Sequence, residues 1–139
     1  MLYLKKGLVM PLIIEGSKRT PYIQADLDQG LITVSGISLP ENPFEYYRPL
    51  NEALDAYLVE PKKDTRLEFR IEYFNTGSAV VLRNLIQRLL DFLGTEHLAL
   101  KWYYERDDQD IKETADEFKA IFPTLNFDLI EVEEFEPNS

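Results

Sequence analysis

Within a few residues the hydrophobic period of this chain changes from two to about 3.6, and that change constrains its architecture more than any other feature. Leu67, Phe69, Ile71 and Tyr73 alternate with Glu68, Arg70 and Glu72, which predicts a strand with one apolar face. Beyond Asn75-Thr76-Gly77, the residues Val81, Leu82, Leu85, Ile86, Leu89 and Leu93 recur at helical spacing. They predict an amphipathic helix over 78–93, stopped by Gly94. Small hydroxyl residues therefore fall at a helix N-terminus, where backbone N–H groups are free and the dipole end is positive. A phosphate is well accommodated there, so Thr76 or Ser78 is a natural switch for a kinase.

The same reading extends along the chain. Leu12–Glu15 is a first edge strand, and Tyr22–Leu27 and Leu31–Ser35 form a hairpin around Asp28-Gln29-Gly30. Asn42 as cap, Pro43 as first residue and Glu45 start a helix running to about Val59, with Tyr47, Leu50, Leu54, Tyr57 and Leu58 on one stripe. Leu98–Tyr104 is a strand. Gln109–Phe122 is a helix capped by Asp107 or Asp108, with Ile111, Ala115, Phe118 and Phe122 inward, and it stops before Pro123. Asn126–Val132 is a last strand, and Glu133–Ser139 reads as a frayed acidic tail. The order is a β-hairpin followed by α-β-α-β-α-β. It predicts one α/β domain over 1–139, with a single mixed sheet and helices packed against it.

Charge and composition restrict the partners. The chain has 139 residues and a formal net charge of −10. From Glu105 onward twelve acids stand against three bases, so the excess is concentrated in the last quarter. Such a surface repels phosphate backbones and anionic lipids, which argues against nucleic acid and membrane partners. Cysteine is absent, which excludes disulfides, thiol catalysis and cysteine-ligated zinc, and agrees with a cytoplasmic location. Met1–Met10 does not read as a signal peptide, and the apolar run Leu8–Ile14 is too short to span a bilayer.

Catalytic chemistry finds little support. His97 is the sole histidine and has no nucleophile signature around it. No Walker loop or glycine-rich dinucleotide motif occurs, so no cofactor is expected. Asp107, Asp108 and Asp110 offer carboxylates for a hard cation, and a small metal-dependent hydrolase is the alternative they raise. Acids before a helix more simply complement its dipole, and the spacing lacks the central glycine of an EF-hand. Asp26 and Asp28 are turn residues. Trp102, Tyr103 and Tyr104 belong to a strand, where aromatics serve the core more often than a binding face. Thr76 itself has a plain role open to it as a helix cap. Ser35, Ser38, Glu41 and Asn42 lie on the predicted loop before the first helix, where turn chemistry and partner binding are both open.

Three blocks of the sequence carry a resemblance. Ser35-Gly36-Ile37-Ser38-Leu39-Pro40-Glu41-Asn42, Tyr73-Phe74-Asn75-Thr76-Gly77-Ser78 and Trp102-Tyr103-Tyr104-Glu105-Arg106-Asp107-Asp108 resemble, in order and spacing, the signature blocks of the SiaC-like regulatory phosphoproteins. The likeness runs from about Ile13 to Val132. It implies a STAS-like fold, as in anti-anti-sigma factors, and a non-enzymatic bacterial signalling protein. It also implies a cognate Ser/Thr kinase, a PP2C-type phosphatase and an output partner such as a diguanylate cyclase, bound in the best-known branch by the unphosphorylated form. The modified threonine carries over to Thr76, with Ser78 a minor alternative. The partner surface would include Ser38, Glu41, Asn42, Asn75, Thr76, Gly77 and Ser78. Gly77 departs from the pattern, standing where relatives usually have serine.

Overall fold

A computed structural model describes residues 11–136; Met1–Met10 and the end of the acidic tail, 137–139, lie outside the described residues. Ten elements follow in order: β1 (Leu12–Ile14), β2 (Tyr22–Asp26), β3 (Leu31–Ser38), α1 (Pro43–Tyr46), α2 (Arg48–Tyr57), β4 (Thr65–Phe74), α3 (Thr76–Leu93), β5 (Leu98–Glu105), α4 (Gln109–Ile121) and β6 (Asn126–Val132). The strands form one six-stranded sheet in strict chain order. β1, β2 and β3 pair antiparallel, while β3 through β6 pair parallel. The mixed α/β sheet expected from the sequence is thus present. With sequential order and the usual right-handed crossovers, every helix falls on the same side of the sheet.

The register shows how the core is filled. Two rungs of apolar residues cross the sheet from edge to edge on the helix side. One passes through Leu12, Ala25, Ile32, Leu67, Leu100 and Phe127; the other through Ile14, Ile23, Val34, Phe69, Trp102 and Leu129. All but the edge residues Leu12, Ile14 and Leu129 are buried, and those three still pack on the core. Each fully buried side chain of this size contributes about 1.5–3 kcal/mol from apolar transfer alone. α3 covers the rungs with Val81, Leu82, Leu85, Ile86 and Leu89, as its spacing predicts. Trp102 sits edge-on to Phe118 at 5.0 Å and to Phe69 at 5.3 Å, so its role is packing. The opposite face carries Gln24, Thr33, Glu68, Lys101 and Asp128 in one row and stays partly wet, with Lys101 paired to Asp128 at 3.2 Å.

Three expectations need correction. The first helix does not run unbroken to Val59; it divides at Tyr47 into α1 and α2. Pro49 is the reason: inside a continuous helix it would lack an N–H for the Glu45 carbonyl and press its ring against it, whereas in the first turn of a new helix neither problem arises. β3 does not stop at Ser35 but continues through Ser38, so Ser35 and Ser38 are strand residues, not loop residues. Tyr73 does not face the core. The register jumps from Gly36↔Ile71 to Ile37↔Tyr73, leaving Glu72 as an extra residue in β4. Such a bulge reverses the alternation. Tyr73 is turned outward, 59% exposed, and Phe74 packs instead on Trp102 and Phe118. Gly36 accommodates the distortion at φ +96°, a conformation strained for other residues. Past β6, the Phe135 N–H donates to the Glu105 carboxylate at 2.7 Å, and Arg106 pairs with Glu131 and Glu133.

The rung model predicts a sharp contrast between two aliphatic truncations. Leu82→Ala should lower the unfolding free energy by about 2–5 kcal/mol. Val59→Ala, at a position 84% exposed, should change it by less than about 0.5 kcal/mol. Urea denaturation followed by Trp102 fluorescence measures both.

Candidate functional site

At the carboxyl end of the parallel strands, three helices begin on one edge: α1 after β3, α3 after β4 and α4 after β5. The bulge delivers the chain from Phe74 directly into α3. Asn75, with extended backbone at φ −86° and ψ 172°, is the N-cap, and its Oδ1 accepts the Ser78 N–H at 2.9 Å. Its Nδ2 donates to the Pro40 carbonyl at 3.2 Å, which pins the loop before α1 to the same turn. Thr76 is therefore the first helical residue and not the cap, and the helix starts two residues before the predicted Ser78. Its side chain is exposed and makes no hydrogen bond among the described residues. The backbone N–H groups of Thr76 and Gly77 also lack partners there, while that of Ser78 is taken. The turn thus offers a free hydroxyl beside two free donors at the positive end of an 18-residue helix.

Ser78 is placed differently from the sequence expectation. It is fully buried, and its Oγ lies 2.8 Å from the Ser38 Oγ and donates to the Ser38 carbonyl at 3.1 Å. The Ser38 Oγ lies in turn 2.8 Å from the Tyr47 hydroxyl. Burial pushes the Tyr47 phenol well above its ordinary pKa, so it remains a neutral partner at physiological pH. Tyr47, at the break between α1 and α2, supplies the third hydroxyl of this node. Of the expected partner surface, Ser38 and Ser78 are therefore internal, Asn75 is half-buried, and Glu41, Asn42 and Thr76 are exposed.

Gly77 faces α1. A Cβ built on it would lie 2.9 Å from Pro43 Cγ, closer than real side chains approach. The ring of Pro43 fills the space that a serine would need. The residue after Pro43, Phe44, is 59% exposed, as is Tyr73 on the other flank of the turn. Sequence reading missed both aromatics as surface features. The bulge register concealed Tyr73, and Phe44 lay in what read as a continuous helix.

The acidic cluster divides. Asp108 is the N-cap of α4, its Oδ1 accepting the Ile111 N–H at 3.0 Å, and Asp110 occupies the first turn. Among the described residues no three metal-capable side chains converge. His97 is exposed and meets Asp64 at 3.3 Å, far along the chain from Thr76. No helix of the described residues is long and apolar enough to cross a membrane.

Comparison with known proteins follows the same outline. The model of the SiaC family regulatory phosphoprotein matches residues 14–132. SiaC of Pseudomonas aeruginosa superposes with a TM-score of 0.75 at 27% identity, covering 88% of this chain and 97% of that one. SiaC is similar again in the crystal structure of the diguanylate cyclase SiaD in complex with its activator SiaC, with a TM-score of 0.80, 27% identity, and coverage of 87% and 99%. An uncharacterized protein of Pseudomonas aeruginosa strain UCBPP-PA14 is 29% identical over 107 residues, 76% of this chain and 85% of that protein.

The capping geometry separates neighbouring residues. Asn75→Ala should cost about 1 kcal/mol of stability, whereas Thr76→Ala should stay within about 0.5 kcal/mol. Thermal melts of the two variants test this, and an equal loss would return the cap to Thr76. Gly77→Ala should destabilise by about 1–3 kcal/mol despite alanine's better helix propensity. The Pro43→Ala background should remove most of that loss, a coupling that a double-mutant cycle reads directly.

Proposed function

The chain belongs to the SiaC family of regulatory phosphoproteins, and from that premise we propose that it is a non-enzymatic cytoplasmic bacterial signalling protein whose partner binding is switched by reversible phosphorylation of Thr76. The observation that carries this reading is the exposed, unbonded Thr76 hydroxyl on the first residue of α3. A cognate Ser/Thr kinase adds the phosphate and a PP2C-type phosphatase removes it. The output partner is a diguanylate cyclase, by analogy with SiaC, which is the activator of SiaD.

The physics of the switch is local. Phosphate adds about −1.5 to −2 charges. The free Thr76 and Gly77 N–H groups and the helix dipole tolerate it, so the domain need not refold. A partner packed over the turn meets a different surface. It must neutralise or desolvate the new charge, and an uncompensated buried charge is expensive. Ser78 is a poor acceptor, because reaching its hydroxyl requires opening the first turn of α3 and breaking the node with Ser38. The exposed Glu41 and Asn42, together with Phe44 and Tyr73, extend the partner surface on either side of Thr76. Gly77, pressed against Pro43, gives the kinase a smoother turn than a serine would.

Incubation with the cognate kinase and ATP, followed by peptide mass spectrometry, should place phosphate on Thr76 and leave Ser78 unmodified. Thr76→Ala should keep binding a SiaD-type cyclase, while Thr76→Asp should bind it more weakly by about 1–3 kcal/mol, with both variants folded. Calorimetry compares them. Equal binding by the Ala, Asp and phosphorylated forms would eliminate the switch.

A further inference from the structure

β4 and β5 are paired only from Thr65↔Leu98 to Phe69↔Trp102. Beyond that point β4 follows β3 as far as Ser38↔Phe74, and β5 follows β6 as far as Glu105↔Val132. The sheet therefore splits at its carboxyl end, the end at which open α/β sheets bind their ligands. The start of α4 borders the split, and a cavity of about 330 Å³ remains. Its apolar lining comes from Phe74 and Ile111, its aromatic wall from the outward-turned Tyr73, and its charge from Glu72, Asp108 and Asp110.

The charge is not answered from within the described chain. Glu72 and Asp110 form no ion pair among the described residues. The cations nearest in sequence are engaged elsewhere. Arg70 lies 3.9 Å over the Tyr103 ring and pairs with Glu68, Arg106 holds Glu131 and Glu133, and Lys112 holds Asp116. The cleft thus combines an exposed aromatic ring, an apolar lining and unpaired carboxylates. That combination suits a long cationic side chain with an apolar stem. Arginine fits better than lysine, because its planar guanidinium stacks on a ring and donates to more than one carboxylate at once.

We propose that this cleft is the anchor for an arginine-bearing segment of the protein partner. The guanidinium lies against Tyr73 between the carboxylates of Glu72 and Asp110, and its methylene stem lies on Phe74 and Ile111. Only Asn75 separates Phe74 from Thr76, so a segment anchored here runs beside the switch residue. The inference rests on the reading that the chain binds a protein partner, but it assigns that partner a different contact from Thr76.

The test is a titration of the ¹⁵N-labelled protein with a blocked Gly-Arg-Gly tripeptide and with its citrulline counterpart, which is similar in shape and uncharged. The arginine peptide should shift amides in 72–74 and 108–114, and the citrulline peptide should not. In the Glu72→Gln, Asp110→Asn double variant, with its spectrum otherwise native, affinity for the arginine peptide should fall at least roughly fivefold. Tyr73→Leu, which keeps an apolar wall but no ring, should weaken it as well. Equal response to both peptides, shifts confined to other surfaces, or unchanged affinity in the double variant would overturn the anchor. The titration involves neither kinase nor cyclase. It therefore judges the cleft even if phosphorylation of Thr76 leaves cyclase binding unchanged.

Discussion

Three buried hydroxyls hold the functional end of this molecule together. Ser38 ends β3, Tyr47 stands at the break between α1 and α2, and Ser78 lies in the first turn of α3. Each is buried where an unpaired polar group would cost about 1–3 kcal/mol, and each finds its partner in another of the three. The node is therefore a geometric constraint as much as a source of stability. Moving any one of its elements leaves a hydroxyl without a partner. Asn75 extends the tie, capping α3 with one side-chain atom and holding the Pro40 carbonyl with another. The result is a turn tied on both sides, with the Thr76 side chain exposed on it.

The extra residue in β4 acts on the other flank. Without Glu72 as a bulge, Tyr73 would point into the core and Phe74 out of it. With it, Phe74 closes on Trp102, and Tyr73 is left at the surface, close in sequence to Thr76. The same region is where β4 parts from β5 and the cleft opens. A single inserted residue thus coincides with the end of the core, the exposure of an aromatic and the approach to α3.

Membership of a regulatory phosphoprotein family and the geometry of the turn are independent observations. The family match concerns the whole of 14–132 and is silent about any single hydroxyl. The geometry concerns one hydroxyl and is silent about partners. The proposed switch residue, Thr76, is exposed and lies two residues before Ser78 of the buried node.

Local pattern in the sequence was enough for the element order, the mixed sheet, the α3 and α4 core stripes and the position of Thr76 at a helix start. Those features depend on periodicity and caps, which act over a few residues and are written in adjacent letters. The division at Tyr47 was also legible in principle, because Pro49 carries its own rule. Other features were not. Whether Asn75 or Thr76 caps α3 depends on which side chain the bulge aims at the Ser78 N–H. Whether Ser38 and Ser78 are surface or interior depends on residues forty apart in the chain meeting in space. The exposure of Tyr73 depends on its pairing with β3, since one extra residue reverses every side chain that follows it. The cleft depends on two strands choosing different neighbours after Phe69 and Trp102. Periodicity determined which residues seek the core; only long-range strand register decided which of them reach it, because pairing across the sheet is set by partners that no local window contains.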